Sequence, residues 1–219
     1  MLWRTTQSDI KRAAELAKEK GELAVAVKQQ RSLWKAQAAY RIDTAHLPDT
    51  FIVFALETTG LNPDTDEIIE IGAMRVHRIS DKHEAIQVLV KPSQKIPKKT
   101  TGLTGISQEM VDAEGQPIED VLKAFVEFIG DLRLVSYDAE FNMAFLYRAA
   151  DRYSISINNP VSCALKMSRR AWPRRKSFRL LDMAKEINLN VGDSRRTLGD
   201  CLRVAGIYLA AARELKTVD

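Results

Sequence analysis

Residues 51–61 read FIVFALETTGL: six consecutive apolar residues, then Glu57, two threonines and Gly60. An apolar run of that length, closed by a glycine, has the pattern of a strand covered on both faces that ends in a turn. Its neighbours fix the context. EIIEIGAMRVHRI (67–79) and EAIQVLVKP (84–92) follow, set off by NPDTD and SDKH, which have turn composition. Three strands in succession predict a meander. Pro117 to Ile129 then places Ile118, Val121, Leu122, Phe125 and Ile129 on one helix face, RLVSY (133–137) reads as a short strand, and EFNMAFLYRAADRY as a helix. VSCALKMSRRAW, SFRLLDMAKEIN and a closing helix from about Ser194 to Leu215 are read as further helices. Strands first, with helices wound round them afterwards, predict a mixed-sheet α/β domain.

Upstream of Phe51 the pattern changes. Ser8 stands as an N-cap before DIKRAAELAKEK, and Gly21 follows where a C-terminal cap would sit. A second helical run, from Glu22 to about Asp43, puts Leu23, Val27, Trp34, Ala38 and Ile42 on one stripe. Pro48, in HLPDT, breaks it. The sequence therefore predicts a helical extension over 1–47 and a domain over 48–219. The apolar stripe either packs on that domain or carries self-association or a protein partner through residues 8–43; the pattern leaves both open.

With 219 residues, 45% of them apolar, the chain can fill one core and carry an appendage. Its apolar runs are too short to cross a bilayer and its start lacks a signal-peptide pattern, so the expectation is a soluble, cytoplasmic chain with no membrane contact. Two cysteines, Cys163 and Cys201, fit free buried thiols in a reducing compartment and argue against a structural zinc cluster. The net charge of +4 leans toward phosphate-bearing partners.

Residues i and i+2 of a strand share a face, so D-x-E at a strand end aims two carboxylates at one point, as a pair of divalent metals at a phosphodiester requires. The opening stretch resembles the first motif, D-x-E-T-T-G, of the DEDDh exonucleases, the group of RNase T and the DNA polymerase III proofreading subunit. EIIEIGAMRV, IPKKTTGLTGISQEMV, VSYDAEFNMAFL and RRTLGDC resemble that family in order and spacing, from residue 51 to about 212. The resemblance implies an RNase H-like fold, a mixed sheet flanked by helices, and a 3′–5′ exonuclease site that uses Mg²⁺ or Mn²⁺.

Three positions depart from that site. The first motif has Ala55 before Leu56 and Glu57. The second, H-N-A-x-F-D in the family, reads Tyr137 to Asn142, with the amide Asn142 in place of the aspartate. The third, H-x-x-x-x-D, has Arg195 for the histidine and retains Asp200. Glu57 and Asp200 supply half of the family's carboxylate charge, too little for two hard cations that demand oxygen ligands. Arg195 stays protonated and cannot act as a base. The expectation is a catalytically degenerate exonuclease-like protein with no metal cofactor, in which Arg195 pairs with Glu57 and Asp200. Because three positions differ together, the change reads as natural and not as an inactivating substitution at Ala55 alone. An active 3′–5′ exonuclease would need a reduced metal site of Glu57, Asp138 and Asp200, with Mg²⁺ or Mn²⁺. Asp138 reads better as the N-cap of the helix that follows it. A third possibility is a pure protein-interaction module.

KMSRRAWPRRKSFR (166–179) has seven basic residues and no acid. Basic side chains neutralise phosphates and aromatics stack bases, so Arg169, Arg170, Trp172, Arg174, Arg175, Lys176 and Arg179 are expected to contact single-stranded nucleic acid, DNA or RNA. Trp172 and Phe178 could equally belong to the core. A weaker cluster is Lys91, Lys95, Lys98 and Lys99. The resemblance adds Thr58, Thr59 and Gly60, which stand where the family holds the 3′-terminal nucleotide; they also suit a turn, with Gly60 free in backbone.

Overall fold

The structure, a computed structural model, describes residues 47–80, 82–189 and 196–216. The helices expected within 8–43, and Arg195 with its expected ion pairs, lie outside them.

Three strands form the expected meander: β1 (Thr50–Thr58), β2 (Ile68–His77) and β3 (Glu84–Leu89), paired antiparallel with β2 in the middle. After α1 (Lys98–Thr104), α2 (Gln108–Glu114) and α3 (Ile118–Ile129), the short β4 (Leu134–Ser136) returns parallel to β1. Helix α4 (Ala139–Arg152) crosses over to β5 (Val161–Cys163), parallel to β4. Helices α5 (Ala164–Ala171), α6 (Leu180–Glu186) and α7 (Thr197–Lys216) close the chain. The sheet order is β3-β2-β1-β4-β5, a mixed sheet with helices on both faces.

β1 is covered on both sides because its two sets of side chains serve two cores. Ile52, Phe54 and Leu56 pack with α3 and α4, Phe54 meeting Phe125 edge to face at 5.9 Å. Phe51, Val53 and Ala55 face α7, Phe51 meeting Tyr208 at 5.4 Å. Phe51 to Phe54 are completely buried, each such side chain contributing about 1.5–3 kcal/mol of transfer free energy. This continuous burial is why the strand reads as an unbroken apolar run.

One segment differs from the sequence expectation, and a second carried none. VSCALKMSRRAW, read as helix, begins with β5: Leu134, Val135 and Ser136 pair with Val161, Ser162 and Cys163. Three residues are too few to show a period of two, so a long-range partner decides them. IPKKTTGLTGISQEMV folds as two short helices, α1 ending at Gly105 in the left-handed region (φ 74) and α2 beginning under the hydroxyl of Ser107, which accepts from the Met110 amide. No helix among the described residues is long and apolar enough to cross a membrane.

Because β1 and β4 run parallel, their carboxyl ends open on the same edge of the sheet, where α4 starts and α7 arrives. Chain ends of this kind are where α/β sheets place ligands.

Candidate active site

Glu57 and Ala55 project from the same face of β1, beside Glu70 and Gly72 of β2. Asp200 comes from the first turn of α7. The Glu57 carboxyl is pushed up to about 8, first by burial, then by the charges of Asp200 and Glu70; Arg196 draws it down only in part. Burial also raises Asp200, against the pull of Arg203, whose guanidinium donates to its Oδ1 at 3.0 Å. Glu57 is therefore partly buried with the charges of Asp200 and Glu70 only partly offset, while Asp200 has Arg203.

The altered positions are built differently. Ala55 packs into the apolar cluster of Phe51, Val53, Met74 and Cys201. The Asn142 amide, nearly buried on α4, donates to Ser136 Oγ at 2.7 Å and to the Asp138 carbonyl at 3.2 Å. Asp138 is exposed and caps α4, its Oδ1 accepting from the Phe141 amide at 3.3 Å. An aspartate so placed has an ordinary reason to be there, and its carboxylate is directed along the first turn of α4.

Such a donor set fits a pair of divalent cations poorly. Hard cations need several oxygen ligands from converging elements; the amide nitrogen of Asn142 is directed at Ser136, and one oxygen of Asp200 is held by Arg203. No three His, Cys, Asp or Glu side chains among the described residues are grouped so as to hold a metal ion.

One residue organises the site without having been nominated from the sequence. Glu70, fully buried on β2, accepts from Arg196 Nε at 2.7 Å and from its terminal nitrogen, from the Thr197 amide at 3.0 Å and hydroxyl at 2.8 Å, and from Gln87 at 3.3 Å. A carboxylate satisfied this way ties the start of α7 to the strand beside Glu57. Gly72 lets the helix come close: a Cβ there would stand 2.2 Å from Thr197 Oγ1. A signal did exist in the sequence. A single acid inside the apolar run IIEIG must be buried, and a buried carboxylate requires partners. Among the described residues Arg203 pairs with Asp200, while the cation that acts on Glu57 is Arg196, which Glu70 already engages.

The loop after β1 is equally built. Thr58 Oγ1 donates to the Gly60 carbonyl at 2.5 Å. Thr59 is 3% exposed; its hydroxyl donates to Asp66 and accepts from the Glu67 amide, while its carbonyl accepts from Thr100. A Cβ on Gly60 would lie 2.4 Å from the Asp66 carboxylate. Thr59 thus holds the turn together, and its hydroxyl is not free for a nucleotide.

In the basic segment, Arg169, Arg170, Arg174, Arg175, Lys176 and Arg179 are exposed, as are Lys91, Lys95, Lys98 and Lys99 elsewhere. Arg175 is paired with Glu186 and Lys166 with Glu140. Trp172, nominated as a base-stacking residue, is instead half-buried against Tyr137, Leu180 and Met183, and Phe178 belongs to the same cluster. Amphipathic α5 explains this: its apolar face must pack on α7, and the chain leaving it carries Trp172 inward.

The exonuclease family model of RNase T matches residues 52–208. The DNA polymerase III epsilon subunit of Aquifex aeolicus is 34% identical over 173 residues, covering 77% of this chain and 83% of that protein. A PolC-type DNA polymerase III of Clostridium perfringens is 32% identical over 169 residues, 77% of this chain but only 12% of that polymerase. Among solved structures, exonuclease X in complex with 5′ overhanging duplex DNA superposes with a TM-score of 0.58 at 25% identity, over 74% of this chain and 91% of that one. The nuclease domain of 3′hExo, a DEDDh family member bound to rAMP, gives 0.63 at 19% identity, over 77% and 92%, and so shares the fold. The mixed sheet, the two acids at its edge and these matches place the chain in the RNase T exonuclease family, the DEDDh 3′–5′ exonucleases with their RNase H-like fold.

Proposed function

We propose that this chain is a catalytically degenerate member of its family that has kept a surface for single-stranded nucleic acid. Ala55 carries the reading. Where a strand-end carboxylate would join Glu57, a methyl group packs into an apolar cluster. With Asn142 donating its amide protons to Ser136 and the Asp138 carbonyl, and Glu70 engaged by Arg196 and Thr197, Glu57 and Asp200 are left without a third acid free to ligate a cation. A general base at the third motif would add about 10²- to 10⁴-fold to hydrolysis, and an arginine cannot supply it. We further assign Arg195 the role of a counter-charge shared by Glu57 and Asp200, since Arg203 engages only Asp200 and burial still raises Glu57.

Nucleic-acid binding is supported by the exposed arginines and lysines of 169–179 and by relatives solved with DNA. The test is to incubate the full chain with end-labelled single-stranded DNA and RNA and Mg²⁺ or Mn²⁺, following retardation and shortening together. The expected result is retardation without shortening. Metal-dependent shortening by the wild-type chain would establish an active exonuclease built on Glu57, Asp200 and a rearranged Asp138. Neither effect would leave an interaction module.

A further inference from the structure

The segment that supplies most of the exposed positive charge is anchored in a way that limits what it can recognise. Its two aromatic rings face inward: Trp172 and Phe178 pack with Leu180, Met183, Ile187 and Ile207. Arg169 lies over the Phe178 ring, its guanidinium 5.9 Å from the centroid. The Tyr137 hydroxyl, at the end of β4, donates to the Phe178 carbonyl at 2.5 Å. That phenol is half-buried and its pKa is pushed up to about 12, chiefly by burial, so the donor keeps its proton throughout the neutral range. Ser177 donates to Asp182 at 2.5 Å, and Arg175 pairs with Glu186. The loop is therefore tied at four points, while Arg170, Arg174, Lys176 and Arg179 stand outside with no carboxylate partner among the described residues.

We propose that residues 169–179 form a preorganised platform that contacts the sugar–phosphate backbone without stacking any base, and that Tyr137 is the positioning residue that holds it in place. The proposal rests on the nucleic-acid reading above and narrows it: the ligand is recognised by its phosphates. A platform held rigid before binding loses little freedom when a strand docks, which strengthens contacts that are individually weak. Outward cations supply counterion release, while the rings are committed to their neighbours, Trp172 to the cluster of Met183 and Ile207 and Phe178 to that cluster and to Arg169.

The test uses the full chain and two probes, a short oligothymidylate and a strand of equal length in which most sugars are abasic, with binding followed over a range of salt. The two probes are expected to bind within about threefold of each other and with the same salt slope. In parallel, Tyr137→Phe removes only the hydroxyl. It is expected to lower affinity about three- to tenfold with an unchanged salt slope, since every cation remains, and to speed tryptic cutting after Arg174, Arg175 and Lys176 at least about fivefold. A structural role confined to the core would not move cutting at those three bonds. An abasic probe bound about tenfold or more weakly would show that bases are stacked and would overturn the proposal, leaving the nucleic-acid reading intact. Cutting of Tyr137→Phe at the wild-type rate would overturn it as well. Retention of neither probe would overturn both.

Discussion

Glu57 is where the altered chemistry becomes measurable in a single residue. Its carboxyl titrates near 8 when folded, against 4.5 as the ordinary value. The unfolded chain therefore releases this proton first, and the folded state binds more protons between the two values. Stability should fall as pH rises from about 4.5 through 8, and Asp200, also raised, acts in the same direction. After allowance for solvent screening the loss is on the order of 2 kcal/mol. Denaturant midpoints at pH 5 and pH 8 check this, and Glu57→Gln should flatten most of the difference. A wild-type chain equally stable at both values would contradict the description of the site. Positions 55, 142 and 195 stand out in the sequence because each differs in chemical type from the motif that its segment resembles. The burial of Glu70 was legible in IIEIG, but its partners were not, since Arg196 and Thr197 lie 126 and 127 residues away along the chain. Trp172 could be read either way, because composition alone cannot tell a ring that faces a strand of nucleic acid from one that packs against a core.

At the level of elements, α7 lies close against β2 and Asp138 caps α4. Gly72→Ala would drive a methyl group into Thr197, whose Oγ1 stands 2.2 Å from the Cβ position, so the first turn of α7 must move. A loss of about 1–3 kcal/mol is expected in thermal or chemical unfolding. Asp138→Ala should cost about 1 kcal/mol, the usual effect of a lost N-cap, and leave nucleic-acid retention unchanged. If Asp138 instead served a ligand, retention would fall while stability held. The meander, α3 and α4 were readable because β1 and β2 are largely apolar runs of nine and ten residues bounded by turns and α3 and α4 carry apolar residues at helical spacing. β5, α1 and α2 were not: runs of three and seven residues carry too little periodicity, and their structure comes from pairing with β4 and from local caps.

For the whole molecule, the apolar clusters of the described residues run from Leu47 to Leu215. If these clusters make up the core, a chain of residues 47–219 should melt within a few degrees of the full chain. Loss of cooperative melting in the shorter chain would mean that residues 1–46 complete the core. A sizing column run on both chains tests separately whether those residues carry self-association. The fold class was available from the order of elements and the spacing of four motif segments, since both are properties of the chain as a string. The charge balance at the sheet edge was only half available, because it sums contributions from β1, β2 and α7 that meet only when folded.

That charge balance is the central claim, and counting bound ions tests it most directly. In a Mn²⁺ titration of the full chain, followed by the electron paramagnetic resonance signal of the free ion, the wild-type protein should take up no pair of ions at micromolar concentrations. The combined variant Ala55→Asp, Asn142→Asp and Arg195→His should take up two. Two tightly bound Mn²⁺ on the wild-type chain would contradict the account.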